Sequence, residues 1–116
     1  MKPIDPQLVQ NNLSKLIGKN LYIHLETTNG AYASHRDQNF FSAGAFIRNV
    51  ELTFTQAKIS GNGPYRIGLE LEQGWVYSEG LTDWVIDDEN RLLFAGHDSE
   101  GKLAIALELS ETPFPK

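Results

Sequence analysis

The chain has 116 residues, 41% of them hydrophobic and 22% charged, with no cysteine; this is the size and composition of one globular domain, and it excludes disulfides, thiolate metal sites and cysteine nucleophiles. Ten Lys and Arg against fifteen Asp and Glu leave a formal net charge of −5, with no basic run to offset it, so nucleic acid and anionic membrane surfaces are both disfavoured partners. The opening residues lack the apolar run of a signal peptide and no stretch reaches transmembrane length, which makes the cytoplasm the expected location.

The first element begins at Asp5-Pro6. An aspartate can accept a bond from an orphan N–H at a helix start, and proline at the first helical position forfeits nothing. Val9, Leu13, Leu16 and Ile17 recur at helical spacing, and Gly18 suits the left-handed residue that closes a helix, so a helix is predicted over about 5–17. From residue 20 the period changes to two: Leu21, Ile23 and Leu25 alternate with Tyr22, His24 and Glu26. Asn29-Gly30 is a hairpin signal leading back into a strand at 31–35. A long β-prone stretch follows over 40–59, with a bulge or bend expected near Asn49.

Turns at 60–64, Gln73-Gly74, 88–90 and 97–101 divide the rest into strands at about 65–72, 75–79, 81–87, 91–95 and a last one in which Leu103, Ile105, Leu107 and Leu109 alternate. Residues 112–115, with two prolines, cannot continue a strand and form a tail. Turn signals recurring about every ten residues imply a mainly β fold, an antiparallel meander of about seven or eight strands curled into a barrel or sandwich. The N-terminal helix must cover an open end or face of it, and one domain, 1–116, is expected.

The first hairpin carries the richest set of side chains. A two-residue turn at Asn29-Gly30 places His24 opposite His35, with Glu26 further along the same face, a set able to bind zinc or a related divalent ion. A three-residue loop with Gly30 left-handed puts Ser34 opposite His24 and turns His35 to the other face. Both registers stand open, and only the first assembles a site. His97-Asp98 is either half of an acid–base pair or a turn in which Asp98 accepts a backbone bond. Gly61-Asn62-Gly63-Pro64 resembles a phosphate loop but opens no helix and lacks the following Lys-Ser/Thr, so it reads as a hairpin turn, with Arg66 a candidate anion contact. Ser34, Ser42 and Ser78 lack any nucleophile-elbow context. Trp75, Tyr77, Trp84, Phe40, Phe41 and Phe46 are expected to fill the core, or failing that a pocket or interface; Glu70, Glu72 and Glu79 are expected on a solvated face.

Several stretches are familiar together: residues 22–30 (YIHLETTNG), 46–49 (FIRN), 61–66 (GNGPYR), 79–82 (EGLT), 90–93 (NRLL), 95–97 (AGH) and 101–105 (GKLAI). Over nearly the whole chain they resemble the YojF-like family of small proteins from Bacillus and related Gram-positive bacteria. The resemblance supplies no catalytic residues. It implies an accessory role beside a zinc-dependent N-deacetylase linked to bacillithiol synthesis.

The leading expectation is therefore a non-catalytic binding or accessory module with no cofactor, in which Arg66, His97 and Asp98 are the candidate ligand contacts. One alternative is a small metal-dependent enzyme using His24, His35 and Glu26. The other is a structural homodimer.

Overall fold

The computed structural model describes residues 1–28 and 43–116. Among them nine strands and one helix follow in the order β1 (Lys2–Pro3), α1 (Pro6–Ser14), β2 (Leu21–Thr28), β3 (Ala43–Leu52), β4 (Phe54–Ser60), β5 (Tyr65–Leu71), β6 (Trp75–Leu81), β7 (Asp83–Ile86), β8 (Leu92–His97) and β9 (Leu103–Ser110). Six strands form one sheet in the order β1-β7-β8-β9-β2-β3, and β4-β5-β6 form a second. All pairings are antiparallel. Of the two expected architectures the sandwich is the one observed, and no closed barrel forms among the described residues.

The helix starts as expected. Asp5 Oδ1 accepts from the backbone N–H of Gln7 (3.1 Å) and Leu8 (3.2 Å), with Pro6 as the first helical residue. It ends at Ser14 rather than at 17, because the chain tightens into turns there and Gly18, at φ 81°, gives its N–H to Phe54 O of β4. The apolar stripe holds accordingly: Val9, Leu13 and Leu16 are buried while Ile17 is exposed. Burying each such side chain contributes roughly 1.5–3 kcal/mol. Gln10 bonds β4 twice, Nε2 to Ala57 O at 2.8 Å and Oε1 from Ile59 N–H at 3.0 Å. The helix thereby covers the edge of the smaller sheet, whose open backbone groups would otherwise invite another strand.

The inner faces of both sheets and the helix share one core, built on Phe54, Leu69, Leu81, Phe94, Leu107 and Leu109 with their neighbours. Ser78 lies inside this core, 2% exposed, and its hydroxyl has no partner among the described residues. A buried hydroxyl without a hydrogen bond is a net cost. Ser78→Ala is expected to leave stability unchanged or raise it by up to about 1 kcal/mol in urea unfolding. A Ser78 so enclosed is also out of reach as a nucleophile.

The long β-prone stretch at 40–59 divides at Thr53, where the chain leaves one sheet for the other. The expected bulge is at Asn49: Ile23 pairs with Val50 and His24 with Arg48, so Asn49 is the extra residue, at φ 61°. Asparagine tolerates that left-handed conformation better than most side chains.

Candidate functional site

Neither hairpin register drawn from Asn29-Gly30 describes β2. That strand is paired on both sides, with β3 and with β9, and His24 stands between Arg48 and Glu108. The cross-strand position that the two registers assigned to His35 or Ser34 is thus filled by Arg48. Residues 29–42, including His35, Ser34, Ser42, Phe40 and Phe41, lie outside the described residues. His24 and Glu26 do come together, with Nε2 3.4 Å from Glu26 Oε1. The other ring nitrogen, Nδ1, is 3.1 Å from an Arg48 guanidinium nitrogen. Arginine only donates, so Nδ1 accepts and the ring proton sits on Nε2, facing the carboxylate. Both nitrogens are therefore engaged, Nδ1 by the guanidinium and Nε2 by the carboxylate. Among the described residues no group of three or more His, Asp or Glu is placed to hold a metal ion.

His24 is covered by the Phe46 ring, edge-on at 5.2 Å, and by the C-terminal tail. Phe114 is buried, its ring 6.3 Å from the His24 ring and beneath the guanidinium groups of Arg48 (5.2 Å) and Arg91 (5.5 Å). The bulge residue holds it there. Asn49 Oδ1 accepts from Phe114 N–H at 2.7 Å, and its Nδ2 donates to Phe114 O at 2.8 Å. Arg48 Nε donates to Pro115 O at 2.8 Å. This cluster is a structural clasp built on β3.

His97 and Asp98 part company. His97 Nδ1 lies 3.2 Å from Asp83 Oδ1, and its backbone N–H donates to Thr82 Oγ1 at 3.2 Å. Thr82 gives its one hydroxyl proton to Asp83 Oδ1 at 2.6 Å. Asp98 instead serves its turn, accepting from the N–H groups of Glu100 and Lys102, both at 2.9 Å. The acid–base pairing of neighbours gives way to the turn reading. Arg66 is engaged elsewhere, with Tyr77 and Glu79, so the three candidate ligand contacts do not form one site.

These bonds depress three carboxylates. Thr82's hydroxyl, then His97, hold Asp83 below the usual range against some burial; burial pushes Asp87 up but is outweighed by the N–H groups and guanidinium of Arg91; the Lys102 N–H leads for Asp98. A lowered carboxylate stabilises the fold only while ionised, so its contribution is complete above about pH 4 and disappears as pH falls through the lowered value. Urea midpoints are expected to hold from neutral pH to about pH 4.5 and to drop below it. Asp87→Asn should lower the plateau and flatten that acid limb.

The outer face of the smaller sheet is different in kind. Its strands align three outward rows: Gln56–Glu70–Trp75, Lys58–Gly68–Tyr77 and Ser60–Arg66–Glu79. With glycine at the centre, the Tyr77 ring leans inward over the bare backbone; a Cβ at Gly68 would meet Tyr77 Cε1 at 3.0 Å. Trp75 stacks on Tyr77 with centroids 5.6 Å apart and planes within 1°, and the Arg66 guanidinium lies 3.9 Å from the Tyr77 ring. Glu79 holds Arg66 at 3.6 Å. Trp75 remains 53% exposed and Tyr77 48% exposed, which is unusual for two adjacent large aromatics. Beside them lies a hollow of about 280 Å³ reaching from the rings across Gly68 to Gln56, Lys58 and Ser60. Lys58 makes no ion pair among the described residues.

Of the aromatics expected in the core, Trp84 is buried, whereas Trp75, Tyr77 and Phe46 are exposed. The signal was present in the strand's parity. Trp75 and Tyr77 alternate in step with Glu79 and out of step with Val76 and Ser78, so they share the charged, outward face.

A family model described as "Protein of unknown function (DUF1806)" matches residues 3–114. The chain is 53% identical to the "Uncharacterized protein YojF" of Bacillus subtilis (strain 168) over 114 residues, 98% of each chain. Its structure is similar to the crystal structure of the Bacillus subtilis YojF protein, with a TM-score of 0.85 and 49% identity, covering 99% of this chain and 97% of that one.

Proposed function

We propose that this chain, which belongs to the DUF1806 family of proteins of unknown function, is a non-catalytic binding module whose ligand site is the outer face of the three-stranded sheet. The observation that carries the proposal is the exposed Trp75–Tyr77–Arg66 stack beside a hollow floored by Gly68. Exposed large aromatics lose free energy to ordered water, and a flat ligand seated against them recovers it. At about 280 Å³ the hollow lies just below the usual range for ligand sites, roughly 300–1,000 Å³, so its occupant is about the size of a single ring with substituents. Among the described residues no group around it is paired as a nucleophile and base, and this favours binding over turnover.

The two tryptophans make the proposal testable without knowing the ligand. Trp84 is 2% exposed and Trp75 is 53% exposed, so their indole N–H signals in an NMR spectrum distinguish core from platform. Screening ring-bearing polar fragments should give hits that move the Trp75 signal and leave Trp84 in place. Hits that consistently map elsewhere would overturn the assignment. The accessory role beside a zinc-dependent N-deacetylase is a further proposal resting on the family resemblance, and such a module would deliver or sense a small molecule for that enzyme. Absence of both a complex with the deacetylase and an effect on its rate would remove that part alone.

A homodimer is a second reading, favoured by Phe46 (59% exposed), Val50 (53%) and Ile47 (39%) along β3, the last strand of its sheet among the described residues. An unpaired edge carrying apolar side chains is a ready site for another strand. Light scattering across a concentration series would reveal it.

A further inference from the structure

We infer that the ligand class of this platform is a neutral saccharide, bound by stacking one sugar ring against the Trp75–Tyr77 pair and hydrogen-bonding its hydroxyls across the hollow. The inference deepens the binding-module reading and rests on it. Three features of the site select the chemistry.

The first is charge. Two cations, Lys58 and Arg66, and two carboxylates, Glu70 and Glu79, belong to the same three outward rows. Over the three rows these charges sum to zero and Glu79 engages Arg66 at 3.6 Å, while of the four only Lys58 and Arg66 line the hollow itself; the chain's overall charge of −5 disfavours phosphate-bearing ligands in addition. A nucleotide is therefore a poor occupant despite its ability to stack.

The second is the mixture of hydrogen-bonding groups. Around the hollow stand the Gln56 amide and Ser60 hydroxyl, which donate and accept, and the Lys58 ammonium and Arg66 guanidinium, which donate. Each hydroxyl of a sugar both donates and accepts, so a ring carrying several of them matches this set. A purely apolar ring would leave those groups without water or partner.

The third is shape. The rings stand on an open sheet surface beside a shallow hollow of about 280 Å³ and not inside an enclosed cavity. Apolar drug-like ligands bury 70–90% or more of their surface in a pocket; a sugar needs only one C–H-bearing face covered and keeps the other hydrated. Gly68 completes the fit, because a side chain there would occupy the space between Lys58 and Tyr77.

The test is a titration of the full chain with the methyl glycosides of the common hexoses and N-acetylhexosamines, then with short glucose oligomers, following the Trp75 indole signal and intrinsic fluorescence. Adenosine and uridine serve as flat-ring comparators. At least one saccharide is expected to bind in about the millimolar range, and Trp75→Ala, which removes its own reporter and is followed by ligand-observed NMR, to weaken it about tenfold or more, as stacking contacts in nucleic-acid readers do. Lys58→Ala should weaken it a few-fold, and both positions are at the surface, so folding is retained. Nucleosides binding at Trp75 while no saccharide does would overturn the saccharide assignment and leave the module intact. A saccharide that moves Trp84 but not Trp75 would overturn it as well. If neither saccharides nor nucleosides disturb Trp75, the saccharide assignment and the platform's role as a ring-binding site both fall.

Discussion

Gly96→Ala is expected to destabilise the protein by about 3 kcal/mol, at the upper end of what overpacking a close contact costs. Gly96 lies in β8 opposite Ile105, and a Cβ there would run into the backbone carbonyl of Gly80 in β6 and approach Ile105 Cγ2 to 2.5 Å. The obstacle on one side is main chain, which cannot rotate away. Here the two sheets pinch together just before the chain crosses from β6 into β7, where Thr82 N–H bonds Ala95 O at 2.9 Å. Separating the sheets to admit a methyl group would loosen that corner and the core below it. For a chain of this length the thermal midpoint should fall by roughly 10–15 °C. Gly74→Ala is the matching control: nothing lies within 4 Å of its added Cβ, and its φ is not positive. That variant should remain within about 0.5 kcal/mol of the parent. Equal urea midpoints for the two variants would refute the close-approach account.

Phe114→Ala is expected to cost about 3 kcal/mol, the lower end for deleting a buried phenylalanine, since the tail can partly relax. The residue is 4% exposed although it is third from the end of the chain. Asn49 satisfies both its backbone groups, as a neighbouring strand would, and the two guanidiniums of Arg48 and Arg91 flank its ring. Asn49→Ala loses both bonds and places a less tolerant residue at φ 61°, for about 3 kcal/mol in total; Asn49→Gly keeps the conformation and should cost about 1 kcal/mol less. Because the two side chains act on one tail, Phe114→Ala combined with Asn49→Ala should cost less than the separate losses added together. Additive losses in a double-mutant cycle would mean that the clasp is not a unit.

The clasp also illustrates how far sequence reading reaches. An asparagine interrupting a β-prone run is legible as a bulge, because its tolerance of left-handed backbone is a local property. What its amide holds lies 65 residues away, and nothing near position 49 announces it. His97 repeats the lesson. Its neighbour in sequence, Asp98, is drawn into the turn, and its carboxylate partner is Asp83, delivered by the pairing of β7 with β8. For His24 the hairpin assumption itself failed, because the strand's lateral partners are β3 and β9 and a tight return at Asn29-Gly30 would need one of those places. The parity of Trp75 and Tyr77 points them outward while their hydrophobicity predicts the core, because hydrophobicity does not distinguish a core aromatic from a platform aromatic.

By itself the sequence determined the Asp5-Pro6 helix start, the β-rich class, most strand limits and the Asn49 bulge. Those depend on interactions within a few residues: a carboxylate reaching the next N–H groups, apolar side chains alternating, a backbone that only some residues accept. Only the tertiary structure decided which strands are neighbours, and hence that the tail closes over His24 and that Gln56, Lys58, Arg66, Trp75 and Tyr77 gather around one glycine. Strand pairing joins residues far apart in the chain, and several pairings bury comparable apolar surface. The choice among them is made by the packing of the whole core, including the close approach at Gly96, which no short stretch of sequence encodes.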